Sequence, residues 1–226
     1  MLGMANRAYL SVWSRDFAEI TMLEQFGELL KTVPFSAERP GFAWLVIRAV
    51  DPALGSLVEY DFRGRALDAA EVVAVAREHL HFDSAYEAQT HWDLWVYDIA
   101  SGRWQLQPQL LEIICRGEEY DDRAFVEAGH FQADIGFEHL FTGHAGLLSG
   151  SADGATPQDL AEAEFLAVMG RPENLREYHQ KTRENIQKLM DWVRALEQAL
   201  PLERYQLCSE GEENFEARLD EILAVR

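Results

Sequence analysis

Apolar and polar residues alternate with a period of two, or form short apolar runs, along much of the first two thirds of the chain. This pattern is typical of β-strands that bury one face. It predicts six strands, at residues 7–15, 42–50, 56–62, 85–97, 104–116 and 130–141. We therefore expect a sheet with one face in the protein core.

Two amphipathic helices are predicted between these strands. Apolar residues from Leu23 to Val33 recur at helical spacing, and this helix must end before Pro34. Asp68 and Glu71 form a capping box for the second helix. The order strand, helix, strand, strand, helix, strand predicts an α+β protein with a ferredoxin-like βαββαβ antiparallel sheet, extended by additional strands. That fold supports many unrelated functions, so it does not indicate a chemistry.

A Gly- and Ser-rich stretch at residues 146–154 is the strongest candidate for a boundary. It separates an α+β sheet domain, residues 1–150, from residues 151–226, where the composition is typical of helices. We expect this C-terminal helical segment to pack on or beside the sheet.

The longest predicted helix begins at Pro172 and ends before Pro201. Along this helix, mostly apolar residues recur at alternating spacings of four and three, which is a heptad pattern, and they form a seam on one side. Its members are Leu175, His179, Thr182, Ile186, Leu189, Val193, Leu196 and Leu200. Such a seam packs either against the protein's own sheet and helices or against a second copy, so a homodimer through helix 172–200 is the alternative.

The net charge of the chain limits the classes of molecule that it is expected to bind. The 226 residues include 39 acidic and 20 basic ones, which gives a formal net charge of −19. Nucleic acids and anionic lipid surfaces bind clusters of Lys and Arg, which this sequence lacks. We therefore expect no nucleic-acid and no membrane partner, but a small molecule or a basic protein. Because the 2 cysteines are far apart and no long apolar segment occurs, a soluble cytoplasmic protein is expected.

The sequence contains no GxxxxGK[ST] phosphate loop, GxGxxG turn, GxSxG nucleophile elbow or HExxH helix. The common signatures of nucleotide binding and hydrolysis are thus absent, and no cofactor is predicted.

Strand alternation indicates where a site would lie. If helices cover the face that carries Leu10, Leu45 and Leu94, the opposite face combines aromatic, basic and acidic side chains. Such a set either lines a ligand cleft or forms a solvent-facing sheet with cross-strand salt bridges. The predicted ligand-binding residues are Trp13, Arg15, Trp44, Arg48, Glu59, Asp61, His91, Asp93 and Trp95.

Two kinds of chemistry are compatible with these residues. On the open face, His91 is a candidate general base, Asp93 would orient it, and Arg48 would hold an anionic substrate. Elsewhere, three histidines are a candidate set of transition-metal ligands, although their spacing matches no established signature. These are His130, His139 and His144.

The absence of catalytic motifs and the acidity together favour a noncatalytic ligand- or protein-binding module. The alternatives are a small-molecule enzyme that uses the His/Asp/Arg cluster of the open face and a metal-dependent hydrolase.

Overall fold

The computed structural model describes residues 6–50, 53, 55–144, 147–148 and 160–224. Within them, one antiparallel sheet has the strand order β3-β2-β4-β5-β6-β1-β7. The strands are β1 (Arg7–Ser14), β2 (Trp44–Arg48), β3 (Ser56–Asp61), β4 (Ala85–Asp98), β5 (Arg103–Arg116), β6 (Phe131–Phe137) and β7 (Leu202–Ser209). The helices are α1 (Glu19–Lys31), α2 (Ala69–Arg77), α3 (Phe125–Ala128), α4 (His139–Thr142), α5 (Leu160–Met169), α6 (Pro172–Ala199) and α7 (Phe215–Ala224).

The α+β class and the antiparallel sheet are confirmed, but the ferredoxin-like topology is not. A split βαβ unit leaves room for one strand between the two strands that it joins. Here β1 and β2, the strands joined through α1, are separated by β4, β5 and β6. The physical reason is the tight connection after Asp98, because it folds β5 directly against β4. β6 then pairs with β5 and places β1 beyond it.

One face of the sheet carries the protein core. Leu10, Leu45 and Leu94 are each at most 1% exposed, and α1 and α2 pack over them. α6 joins the same layer: Trp192 packs edge-on against Trp92, and its indole N–H donates to Thr32 Oγ1 at the end of α1, at 2.9 Å. Trp192 of α6 therefore packs on the same face of the sheet as α1, whereas on the opposite face Trp13 contacts α3 and Trp95 contacts Lys181 of α6.

The heptad seam of α6 packs mainly inside this core. Its members from Thr182 to Leu200 are buried, whereas Leu175 and His179 are partly exposed. Most of the seam therefore contacts the protein's own side chains. This agrees with packing against the protein's own sheet and helices, the first of the two interpretations of the seam.

The sequence pattern predicts a helical C-terminal segment, but the structure also contains a strand there. Residues Leu202–Ser209 form β7, which pairs with β1 along its length. Both parts of the chain thus contribute to one sheet and one core. Apart from residues 147–148, the predicted boundary at 146–154 lies outside the described residues.

The strand predicted at residues 130–141 is shorter than expected. β6 ends at Phe137, after Gly136 adopts a φ of 108°, and the chain turns into the short helix α4. His139 therefore lies on a helix and not on the sheet.

In the described part of the chain, no helix has the length and apolar character that crossing a membrane requires.

Candidate functional site

The sheet face opposite α1 and α2, here called the open face, carries the predicted ligand-binding side chains. Its residues alternate along each strand with core residues such as Leu45 and Leu94. Buried apolar residues of this face, including Trp13 and Val46, are not part of the main core. The open face is therefore a separate surface with its own contacts.

Most of the predicted residues on this face have a local partner, so they do not converge on one point. Trp95 lies under the ammonium group of Lys181, which is 3.5 Å from the ring centroid. The other partners are Phe125 O for Trp13 Nε1 (2.8 Å), Leu202 O for Arg15 Nε (3.0 Å), Glu87 Oε2 for Arg48 Nε (2.9 Å), Ser56 Oγ for Glu59 Oε1 (2.5 Å) and Arg63 Nε for Asp61 Oδ1 (3.0 Å).

Two of the predicted residues, Trp44 and His91, do meet in a cavity of about 580 Å³ at one end of the open face. This cavity also brings together two arginines that the sequence pattern did not single out, so we call it the Arg39 cleft. Its lining residues are Glu38, Arg39, Pro40, Gly41, Ala43, Trp44, Arg63, Ala66, Gln89, His91 and Leu110.

The segment that carries Arg39 is held against the free edge of β4. Ser36 N–H donates to His91 O at 2.7 Å, and Ala37 N–H donates to Asp93 Oδ2 at 3.0 Å. Ser36 Oγ in turn accepts from the backbone N–H groups of Glu38 and Arg39 at 3.2 and 3.3 Å. Asp93 is thus a positioning residue for the Arg39 segment.

Gly41 completes the turn from this segment into β2. Its φ is 81°, and a Cβ there would lie 2.9 Å from Leu67 O. Any other residue would therefore be strained at this position. Thr90 Oγ1 donates to Gly41 O at 2.6 Å and fixes the turn on β4.

Arg63 forms the other side of the cleft. Its guanidinium lies over the Trp44 ring, 5.2 Å from the centroid, and also forms two hydrogen bonds from Nε to the Asp61 carboxylate, each at 3.0 Å. These bonds hold the pKa of the exposed Asp61 carboxyl at about 2. The charge of Arg63 is therefore largely offset, while its planar group keeps one edge for a ligand.

His91 connects Arg39 with the floor of the cleft. Arg39 Nη1 is 3.2 Å from His91 Nε2, and since a guanidinium only donates, Nε2 accepts and the imidazole is neutral. Burial and the nearby Arg39 charge both lower the pKa of His91. Among the described residues, no hydrogen bond joins His91 to Asp93, whose Oδ1 is buried without a partner. The carboxylate that would orient a general base is thus not in contact with it.

Arg48 lies far from this cleft. It pairs with Ala85, six residues before His91 on β4, a separation of about 20 Å along a strand. Arg39 and Arg63 occupy the place that the sequence prediction gave to Arg48. Periodicity could not find them because they lie in loops; the signal available was the Pro40-Gly41 turn between a helix and a strand.

The three histidines of the metal hypothesis do not converge. The rings of His139 and His144 are 4.8 Å apart. His130 directly precedes β6, whereas His139 follows it, so the two lie at opposite ends of the strand. The His130 ring stacks between those of Phe17 and Phe125. Across the described ranges, no group of three or more His, Cys, Asp or Glu side chains has a metal-binding arrangement.

Searches of protein-family models, curated proteins and solved structures find no match to this chain.

Proposed function

We propose that the protein is a noncatalytic ligand-binding module that takes a small organic anion into the Arg39 cleft. The observation that carries the proposal is that two arginines from separate loops, Arg39 and Arg63, line the same cavity as Trp44. Planar guanidinium groups match carboxylates and phosphates through paired hydrogen bonds. Because the Arg63 guanidinium already lies over the Trp44 ring, a flat apolar part of the same ligand would contact the edge of the indole.

The charges at the cleft favour a ligand with a single negative charge. Arg39 and Arg63 line it, but Glu38 lines it too, and Asp61 is bound to Arg63. These four side chains together have a formal charge of zero, in a protein whose formal net charge is −19, so Arg39 supplies the positive charge for one anionic group. A polyphosphate would need several more unpaired cations, so a monocarboxylate with an aromatic or other planar group fits best.

Binding is favoured over catalysis because the histidine lacks its acid-base partner. The Asp93 carboxylate accepts from the Ala37 N–H, and His91 accepts from Arg39. In a general-base arrangement, the carboxylate would instead orient the imidazole. The alternative of a basic protein partner rests on the overall acidity alone.

The test is calorimetric titration with indole-3-acetate and with uncharged indole-3-acetamide, a probe of similar shape. We expect the anion to bind at least about tenfold more tightly, since an ion pair and its hydrogen bonds contribute about 1.5–3 kcal/mol. Arg39→Gln should remove that preference. Arg77→Gln, which changes the same charge at an exposed position on α2 outside the cleft, should keep it.

Equal binding of the two probes, or an Arg39→Gln variant that keeps the preference, would overturn the proposal.

A further inference from the structure

A second cavity, of about 290 Å³, lies beside the β4–β5 hairpin and shares no lining residue with the Arg39 cleft. We call it the aromatic pocket because its walls are mostly aromatic rings. Its lining residues are Trp95, Val96, Tyr97, Ile99, Trp104, His139, Leu140, His144, Phe165, Tyr178, Thr182 and Asn185.

The rings around this pocket contact one another in a continuous series. Trp104 stacks on Tyr178 with centroids 5.3 Å apart, and Phe165 meets Tyr178 edge-on at 6.1 Å. Tyr97 contacts both Trp104 and Phe165, at 5.5 and 5.9 Å. Since β4, β5, α5 and α6 each contribute a ring, the walls belong to the folded core of the chain and not to one mobile loop.

The pocket also holds polar groups with unused hydrogen-bonding capacity. Tyr178 is 4% exposed, and its oxygen accepts from the His144 N–H at 2.7 Å. Within the described part of the chain, no acceptor is found for the phenolic proton itself, and no hydrogen bond engages the His139 imidazole. A phenol that accepts one hydrogen bond can still donate its own proton, so a ligand with an acceptor atom would gain a hydrogen bond here.

The electrostatics of the pocket select against charge. Among the residues that the structure describes, no Asp, Glu, Lys or Arg lines it. Burial lowers the pKa of His139 to about 4 and raises that of Tyr178 to about 12, so both are neutral at physiological pH. A charged ligand would lose its hydration without gaining a counter-ion here. The Trp95 ring, which would otherwise attract a cation, is already contacted by Lys181.

We infer that the aromatic pocket is a binding site for an uncharged planar heteroaromatic molecule, which stacks among the rings and accepts a hydrogen bond from Tyr178. A dry apolar cavity of about 150 Å³ is large enough for benzene. The present cavity therefore has room for a bicyclic ring. This site is independent of the Arg39 cleft and of the ligand proposed there.

The experiment compares three flat bicyclic probes at pH 7.5 by calorimetry and ligand-detected saturation-transfer NMR: quinoline, N-methylquinolinium and naphthalene. Quinoline has the acceptor nitrogen and no charge, N-methylquinolinium has a charge and no acceptor, and naphthalene has neither. We expect quinoline to bind at least about tenfold more tightly than either of the others. Tyr178→Phe should abolish its advantage over naphthalene.

Ile99→Trp provides a second test that does not disturb the core, because Ile99 is 68% exposed and lies at the rim of the pocket. We expect it to obstruct the entrance and weaken quinoline binding. Ile20→Trp is the matched control, since Ile20 is 86% exposed on α1 and lines neither cavity. No quinoline binding at millimolar concentration, tighter binding of N-methylquinolinium, or equal effects of the two Trp variants would each overturn the inference.

Discussion

The carboxamide of Asn185 pairs with the backbone of Trp95 as a neighbouring strand would. Asn185 Oδ1 accepts from Trp95 N–H at 2.8 Å, and Nδ2 donates to Trp95 O at 3.0 Å. Nδ2 also donates to Leu140 O at 3.0 Å. β2 pairs with β4 only up to Gln89, so the amide satisfies an edge that would otherwise be buried without partners. This contact attaches α6 to the sheet.

Asn185→Leu is expected to lower the free energy of unfolding by about 2–4 kcal/mol, because it leaves buried backbone groups of β4 and α4 without partners. Urea unfolding followed by circular dichroism measures the change. Gln187→Ala, on the exposed side of the same helix, should change stability by less than about 0.5 kcal/mol. A loss below about 1 kcal/mol for Asn185→Leu would show that water replaces the amide and that the contact does not hold α6 in place.

Asp93→Ala should weaken binding of indole-3-acetate in the Arg39 cleft, by about tenfold, by releasing the segment that presents Arg39. Asp93→Asn keeps an oxygen that accepts from Ala37 N–H and should retain most of the affinity. Calorimetry on both variants separates a positioning role from a role of the negative charge. If Asp93→Asn lost as much affinity as Asp93→Ala, the charge itself would be required and the positioning role would be wrong.

Acidification should destabilise the protein between about pH 6.5 and pH 4. Burial lowers the pKa of His130 and of His139 to about 4 each in the folded state. In this pH range both histidines are protonated in the unfolded chain and neutral in the folded chain. The free energy of unfolding therefore decreases as the pH is lowered. Urea unfolding at pH 7.5, 5.5 and 4.5 measures the dependence.

Two substitutions identify the groups that titrate. His139→Gln should flatten the pH dependence. His130→Asn should do the same while keeping an acceptor for the Ser14 N–H, which now donates to His130 Nδ1 at 3.1 Å. An unchanged slope in both variants would assign the acid sensitivity to other groups.

Pro108 interrupts a sheet edge that is otherwise open for pairing. β6 pairs only with residues 112–115 of β5, so no strand of the described residues lies on that side of the preceding part of β5. Pro108 lies directly opposite Asp93 on β4. Asp93 O accepts from Lys188 Nζ and therefore points away from β5. In an antiparallel pair of this kind both backbones point outward, so the backbone of Pro108 faces the open edge. Pro108→Val restores a donor there and should promote self-association, measured by sedimentation velocity. A variant that stays in the same oligomeric state as the parent protein at equal concentration would show that Pro108 does not protect the edge.

Local structure in this protein could be predicted from local patterns. The alternation at residues 7–15 and 85–97 corresponds to β1 and β4, and Asp68 and Glu71 form the expected reciprocal cap, with hydrogen bonds of 2.9 and 3.1 Å. The order of the strands could not be predicted, because a hairpin and a crossover can follow the same pattern of alternation. β7 was missed because its burial alternates only weakly.

The same distinction between local patterns and long-range contacts applies to the candidate site. Trp44 and His91 lie on strands, where alternation assigns them to one face, and both line the Arg39 cleft. Arg39 and Arg63 lie in loops whose positions depend on Asp93, Gly41 and Asp61. Contacts of this kind form between segments that are distant in sequence, so no local period encodes them.

The pairing of β1 with β7 has a consequence for how the protein is made. Leu10 pairs with Leu207, about 200 residues further along the chain. During synthesis β1 therefore leaves the ribosome long before β7 exists, and one of its edges stays open until then. Contacts of such high sequence separation form slowly, because a long loop must close first. We expect the nascent chain to pass through a state in which β1 is vulnerable to misassembly and to depend on chaperones until β7 docks.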